Sequence, residues 1–208
     1  MEAMKIPRDV AEWKNLILIY KFALKEIDTK LNILNEEFQF IHAHNPIEHI
    51  KSRVKTTDSI ISKLKRKGHG VTIEDAKEHI HDIAGVRIIC SFTSDIYTIY
   101  DLIKNQSDVK IVEVKDYIKN PKPNGYQSLH LIVEIPIFLS DRAEPVKVEI
   151  QIRTIAMDFW ASLEHKIFYK FNKAVPEGIT DQLKECADVV SNLDHRMLSI
   201  RNVIAQYK

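Results

Sequence analysis

Asp82 and Glu149 are far apart along the chain, yet each stands at or within a segment of β character. Asp82 precedes the apolar run of HIHDIAGVRII. Glu149 lies in VKVEIQIR, where Val146, Val148, Ile150 and Ile152 alternate with Lys147, Glu149, Gln151 and Arg153. Such alternation sends apolar side chains to one face of a strand and polar ones to the other. The polar face is either solvated, as on many antiparallel strands, or partly covered, which makes it a pocket lined by carboxylate, amide and guanidinium. Alone, Asp82 reads as a helix or turn cap. Beside Glu149 on a neighbouring strand it completes an oxygen site for a divalent cation, with Gly85 allowing close backbone approach. Mg²⁺ suits such a pair, because it takes one or two protein carboxylates and leaves its other positions to phosphates and water.

Phosphates need cations, and the stretch Lys51–Lys67 carries seven Lys/Arg against one acid, Asp58. Lys51, Lys55, Ser59, Lys63 and Lys67 recur at every fourth residue, which places them on one face if the segment is helical, with Ser52, Ser62 and Arg66 beside it. Like charges at that spacing repel unless an anion sits among them. A solvated basic face or a nucleic-acid patch fits the spacing equally well. A third stretch, NPKPNGYQSLH (Asn120–His130), starts as a turn, with Pro and Gly setting the backbone. Turn chemistry does not explain the aromatic, amide, hydroxyl and imidazole that follow.

Several elements must position these groups. Trp13, Ile17, Tyr20, Leu24, Ile27, Leu31 and Leu34 alternate by four and three, the seam of a long amphipathic helix. A second helix is expected after HNPIEH, capped by Asn45 with Pro46 in its first turn and ended by Gly68 and Gly70. GVRIICSF, VKIVEVKDY, YQSLHLIVEIPI and VKVEIQIRT read as strands. SDIYTIYDLIKN, with Ser94 as cap, and AMDFWASLEHKIFYK read as helices, with Phe159 and Trp160 in the core behind the active strand. A last helix after Pro176 puts Ile179, Leu183, Cys186, Val190, Leu193, Met197, Ile200 and Ile204 on another seam. Either both seams pack on the sheet or at least one meets another subunit.

Composition sets the outer limits. The 208 residues are 45% hydrophobic and 28% charged with net charge +1, so no global field draws the chain to nucleic acid or membrane. Cys90 and Cys186, both in apolar surroundings, read as buried thiols of a reducing compartment. No apolar run reaches the ~18 residues of a membrane span, and no secretory segment opens the chain, so a cytoplasmic location is expected.

Taken in order, KSRVK, HIHDIAGVRII, PKPNGYQSLH, VEIQIRT and AMDFWASLEHKI resemble the synthetase domain of bacterial RelA/SpoT-type alarmone enzymes, closest in wording to the small, single-domain RelP-type members. The resemblance implies an α+β fold, a nucleotidyltransferase-like mixed sheet of about five strands flanked by helices. It implies a single synthetase domain over 1–208, with an N-terminal helix in 1–45, a catalytic core in 46–172 and a C-terminal helix in 176–208. The implied reaction is Mg²⁺-dependent transfer of pyrophosphate from ATP to the 3′-hydroxyl of GTP or GDP, giving AMP and pppGpp or ppGpp.

Residue by residue, Arg53 and Arg87 match the arginines that sandwich adenine. Lys55, Ser59, Lys63 and Arg66 match the ATP-phosphate face, and Asp82 and Glu149 the metal and catalytic carboxylates. Tyr126 matches the ring that stacks on guanine, Lys122 and His130 the groups that reach the acceptor's phosphates, and Gln151 and Asp158 further acceptor-side positions. Asp158 is Asn in some relatives, and Gln127 stands where many small synthetases carry Arg. Related small synthetases are homotetramers, which implies the same assembly here, held by the C-terminal seam with or without the N-terminal one.

Two other signals are set aside. His81-Asp82 mimics the dipeptide of metal phosphohydrolases but lacks the further ligands such sites need. The histidines at 42, 44, 49, 69, 79 and 81 fit no standard structural zinc spacing. The competing reading is a non-catalytic RNA-binding or regulatory module of the same fold, using the basic segment.

Overall fold

Alternating strands with one apolar face need something to cover that face, and the first helix supplies it. In the computed structural model, which describes residues 8–170 and 178–207, the chain runs α1 (Arg8–Ile41), β1 (His49–Val54), α2 (Thr57–Lys67), α3 (Ile73–His79) and β2 (Ala84–Cys90). It continues through α4 (Thr93–Lys104), β3 (Lys110–Asp116), β4 (Leu129–Phe138), β5 (Ala143–Thr154), α5 (Ile155–Lys170) and α6 (Ile179–Ala205). The five strands form one mixed sheet in the order β1-β2-β5-β4-β3. Only β2 and β5 are parallel; the other neighbours are antiparallel.

Leu16, Tyr20, Ala23, Leu24, Ile27 and Leu31 of α1 share one core with Val86 and Ile88 of β2, Leu131 and Val133 of β4, and Val148, Ile150 and Ile152 of β5. Each fully buried Leu or Ile contributes roughly 1.5–3 kcal/mol relative to exposure. The N-terminal seam is therefore spent on the chain's own sheet. A second, smaller cluster joins Trp160 and Ala161 of α5 to Leu183 and Ala187 of α6, with Tyr126, Ile179 and Val190 packed against it.

Several expectations are corrected. The helix expected from Asn45 begins only at Thr57, and HIKSRV is the edge strand β1. Asn45 instead accepts the Ile47 backbone N–H at 2.9 Å, and Thr56 caps α2 by accepting from Ser59 N. Gly68 ends α2 as expected, at φ 76° in the left-handed region that favours glycine. The basic residues are consequently not one helical face: Lys51 is on β1, Lys55 in the connection, and Ser59, Lys63 and Lys67 on α2. Helix α4 starts at Thr93, and its turn is tied by Asp95, which accepts from Phe92 N, rather than capped by Ser94.

Cys90 is buried but Cys186 is exposed, and Phe159 is exposed while Trp160 is buried. On α6 the inward stripe is Leu183, Ala187 and Asp194, whereas Cys186, Leu193, Met197, Ile200 and Ile204 of the expected seam face outward. The expected start of this helix after Pro176 lies outside the described residues. No helix of the described residues is long and apolar enough to cross a membrane.

Candidate active site

Strand register sets the polar side chains in two rows across the sheet. Directly paired residues point to the same face, so Lys51, Arg87, Gln151, His130 and Lys115 form one row across β1, β2, β5, β4 and β3. Arg53, Gly85, Glu149, Ile132 and Glu113 form the next. At the β1–β2–β5 end this face is hollowed into a cavity of about 310 Å³ whose lining includes Arg53, Asp82, Gly85, Arg87, Glu149 and Gln151. Gly85 is part of its floor; a Cβ there would meet nothing within 4 Å, so the missing side chain leaves open space above the strand.

Asp82 sits in the turn before β2, where Lys55 N donates to Ile83 O at 2.7 Å and holds the β1–α2 connection beside it. Its Oδ2 takes Lys63 Nζ at 2.8 Å and Lys55 Nζ at 3.1 Å. Burial works to raise its pKa, but the hydrogen bond and charge of Lys63, then those of Lys55, outweigh it, and the carboxyl lies below its ordinary 3.8. The other oxygen, Asp82 Oδ1, is buried without a hydrogen-bond partner.

Glu149 is held differently: His130 Nδ1 is 3.4 Å from Oε1, and Gln151 Nε2 donates to Oε2 at 2.9 Å. Burial again raises its pKa and His130, followed by Gln151, lowers it more; nearby Asp82 pushes it back up without reversing the sign. Two acids held ionised on one cavity, one with an oxygen left unbonded, are a fit for a hard cation. Among the described residues no group of three or more His, Cys, Asp or Glu is placed to hold a metal, so a cation here would depend on further ligands from outside the chain.

The opposite end of the face is aromatic. The turn of the Asn120–His130 segment closes through Gly125 N donating to Lys122 O at 2.8 Å and Lys122 N donating to Tyr126 O at 3.1 Å. Gly125, at φ 88°, occupies the left-handed region. Lys122 Nζ stands 4.8 Å from the ring centroids of both Tyr117 and Tyr126. The Tyr126 hydroxyl meets His130 Nε2 at 2.8 Å and accepts from Arg153 Nη2. Burial raises the Tyr126 pKa although Arg153 opposes it, so the ring stays a neutral phenol.

Arg153 is the residue that the sequence did not single out. Only 4% exposed, it donates to Ser128 Oγ (3.3 Å), Gln151 Oε1 (2.9 Å) and Asp158 Oδ1 (3.2 Å) besides Tyr126. Its place on the polar side of VKVEIQIR was legible; its pairing with Tyr126 and Ser128 of the loop before β4 and with Asp158 of α5 was not. Asp158 also takes Arg87 Nη1 at 3.1 Å, so one carboxylate joins the arginine expected at the donor base to the end that carries Tyr126.

The expected site residues thus fall into connected groups. Arg53, Arg87, Asp82, Glu149 and Gln151 share the cavity; Lys55 and Lys63 bind Asp82; and Lys122, Tyr126, His130 and Asp158 are linked through Arg153 and Glu149. Ser59 and Arg66 are exposed on α2, one turn to either side of Lys63 and outside the cavity lining.

Comparison with known proteins gives a consistent answer. Residues 52–174 match the family described as "Region found in RelA / SpoT proteins". The chain is 61% identical over 193 residues to the GTP pyrophosphokinase YwaC of Bacillus subtilis, spanning 93% of this chain and 92% of that one. It is 35% identical over 198 residues to the GTP pyrophosphokinase YjbM of the same organism, spanning 95% and 92%. Among solved structures it is similar to small alarmone synthetase 2 of B. subtilis, with TM-score 0.83, 59% identity and coverage of 91% and 98%. It is also similar to small alarmone synthetase 1 of that organism bound to its product pppGpp, with TM-score 0.86, 35% identity and coverage of 92% and 97%.

Proposed function

The chain belongs to the RelA/SpoT family, and we infer that it works as a GTP pyrophosphokinase, moving the β,γ-pyrophosphate of ATP to the 3′-hydroxyl of GTP or GDP and releasing AMP. The observation that carries this reading is the convergence of Asp82 and Glu149 on one cavity with Arg53 and Arg87. Arg53 and Arg87 are planar cations on adjacent strands, suited to the two faces of a purine in a way that Lys is not. Lys55 and Lys63, already drawn in by Asp82, are placed to turn to the donor's phosphates. Tyr126 offers a ring to guanine, with Lys122 and His130 beside it for phosphate.

Asp82 and Glu149 would hold Mg²⁺, which supplies charge neutralisation at the transferring pyrophosphate. The unbonded Oδ1 of Asp82 supports that assignment. Glu149 orients the acceptor hydroxyl in line with the departing AMP oxygen. Because its pKa is held low, orientation outweighs proton removal among its roles. His130, hydrogen-bonded to Glu149 and Tyr126, aligns the carboxylate with the stacking ring.

The decisive experiment supplies purified protein with ATP, GTP and Mg²⁺ and separates the products by thin-layer chromatography. AMP and a guanosine 3′-pyrophosphate are expected, and Glu149→Gln is expected to abolish turnover while keeping nucleotide binding. Normal turnover in that variant would end the assignment. The reading of an RNA-binding module loses its main support, since the basic residues are split among β1, a connection and α2, and two of them pair with Asp82.

A cytoplasmic homotetramer is the assembly we propose. On α6, Val189, Leu193, Met197, Ile200 and Ile204 leave an apolar stripe facing outward, suited to helix–helix contact with a second copy. Light scattering that finds a monomer at micromolar concentration contradicts this.

A further inference from the structure

Helix α6 contributes no residue to the cavity lining, yet it touches the loop that carries Tyr126. At Gly125 the backbone lies so near α6 that a Cβ built there would stand 2.4 Å from the Ala187 Cβ and 3.4 Å from the Lys184 Cα. The space enclosed by Gly125, Gln127, Met157, Trp160, Ala187 and Val190 is about 10 Å³, at the lower limit of what one water occupies. The contact therefore has no slack.

Nor can α6 easily retreat. Trp160 Nε1 donates to Leu183 O at 2.9 Å, and Thr154 Oγ1 donates to Asp194 Oδ2 at 2.6 Å, so α5 and the end of β5 grip the helix on both sides of Ala187. Trp160 and Ala187 are 6% and 4% exposed. A close-packed interior of this kind passes a displacement on rather than absorbing it. The loop, by contrast, is a turn held by discrete hydrogen bonds, including those of the Tyr126 hydroxyl with His130 and Arg153. Among them are also the two backbone bonds between Lys122 and Gly125–Tyr126 and the donation from Asn124 Nδ2 to Glu164 Oε1 at 3.1 Å.

We propose that Ala187 is a positioning residue for the acceptor nucleotide: its methyl group against Gly125 sets the height at which the loop presents Lys122 and Tyr126. It touches no substrate. The inference rests on the reading of this loop as the acceptor site and adds the element that holds it in register. Among the described residues, those that pack with Ala187 belong to this loop, α5 and α6, whereas the donor end is built on β1, β2 and α2, so the effect is confined to one substrate.

The test is steady-state kinetics on the full chain, varying GTP at saturating ATP and then the reverse. Ala187→Leu forces the loop outward and is expected to raise the KM for GTP by about tenfold, equivalent to ~1.4 kcal/mol, with the KM for ATP and the kcat at saturating GTP little changed. A KM for GTP that does not move, or equal rises for both nucleotides, overturns the proposal.

A second pair of variants decides the matter should Ala187→Leu fail to fold. Gly125→Ala introduces the clash from the loop side and raises the KM for GTP. Adding Ala187→Gly removes the opposing methyl and restores part of the affinity, leaving the strain of the positive φ. No restoration overturns the proposal, because a loop damaged only by backbone strain is indifferent to residue 187. Tyr126→Ala separates the two layers of the argument. Unchanged KM for GTP in that variant means the acceptor assignment itself is wrong and the inference falls with it. A raised KM there, with Ala187→Leu silent, defeats the α6 inference alone.

Discussion

Arg153→Met isolates what the buried guanidinium contributes. Methionine is similar in length, unbranched and adaptable in packing, and donates nothing. Breaking a buried ion pair ordinarily costs ~3–5 kcal/mol, because the abandoned charge stays buried. Here Asp158 and Tyr126 are not left alone. Asp158 keeps Arg87 at 3.1 Å, and the Tyr126 hydroxyl keeps His130 at 2.8 Å. Arg153 and Arg87 also repel, which lowers the Arg87 pKa behind the larger effect of burial, and the substitution relieves that repulsion. The loss should accordingly fall to the range of a hydrogen bond to a charged group, about 2 kcal/mol. For a domain of this length that lowers the melting midpoint by roughly 4–8 °C.

Urea or thermal unfolding at pH 7 and fixed protein concentration measures it, fixed because assembly feeds into apparent stability. Adding Asp158→Asn to the methionine variant should then cost little more. Failure of Arg153→Met to fold would refute the reasoning, since it would mean that Arg87 does not share Asp158. An unchanged midpoint refutes it from the other side, showing that the four donated hydrogen bonds do not hold the fold.

Two pH-dependent outcomes follow from carboxyls with shifts of opposite sign. Asp82 is held below its ordinary 3.8, so the stability gained from Lys63 and Lys55 is complete above that value and is lost as pH falls through the lower folded value. Asp82→Asn should therefore be less stable than the parent at pH 7 and converge with it in strong acid, as read from urea midpoints across a pH series. Asp194 runs the other way: burial raises its pKa above 3.8 against the weaker pulls of Thr154 and His195, so its ionisation costs stability as pH rises. Asp194→Asn can still accept from Thr154 Oγ1, and is expected to raise the melting midpoint at pH 7 with the gain gone below about pH 3.5. A lower midpoint at neutral pH would mean the charged form is preferred in the fold.

Much of the site could be read from the chain because strand alternation is local. VKVEIQIR places Glu149 and Gln151 on one face whatever else the protein does, and β2 and β4 are long enough in apolar residues to be read as buried strands. The edge strand β1 reads as helix in the sequence because Lys51, Lys55, Ser59 and Lys63 recur every fourth residue. The same segment also carries Lys51, Arg53 and Lys55 at every second residue, a strand period, and pairing with β2 decides between them. Spacing alone could not, since both periods satisfy it. Arg153 fails to stand out for a related reason: a buried cation is recognised by partners that lie far along the chain, here Ser128 and Tyr126, not by its neighbours.

The α6 seam shows where periodicity stops carrying information. Ile179, Leu183 and Val190 of the expected stripe do pack inward, but beyond them the inward line runs through Asp194 rather than Leu193. An aspartate on the buried side of a helix with isoleucine and methionine on the open side inverts the usual rule, so hydrophobicity cannot have chosen that rotation by itself. Two contacts choose it instead: Thr154 Oγ1 on Asp194, which satisfies a group too costly to bury alone, and Gly125 on Ala187, where nothing larger fits. With the helix locked at both points, the apolar residues left outside are those free of the Tyr126 loop, and a second copy can cover them without moving it.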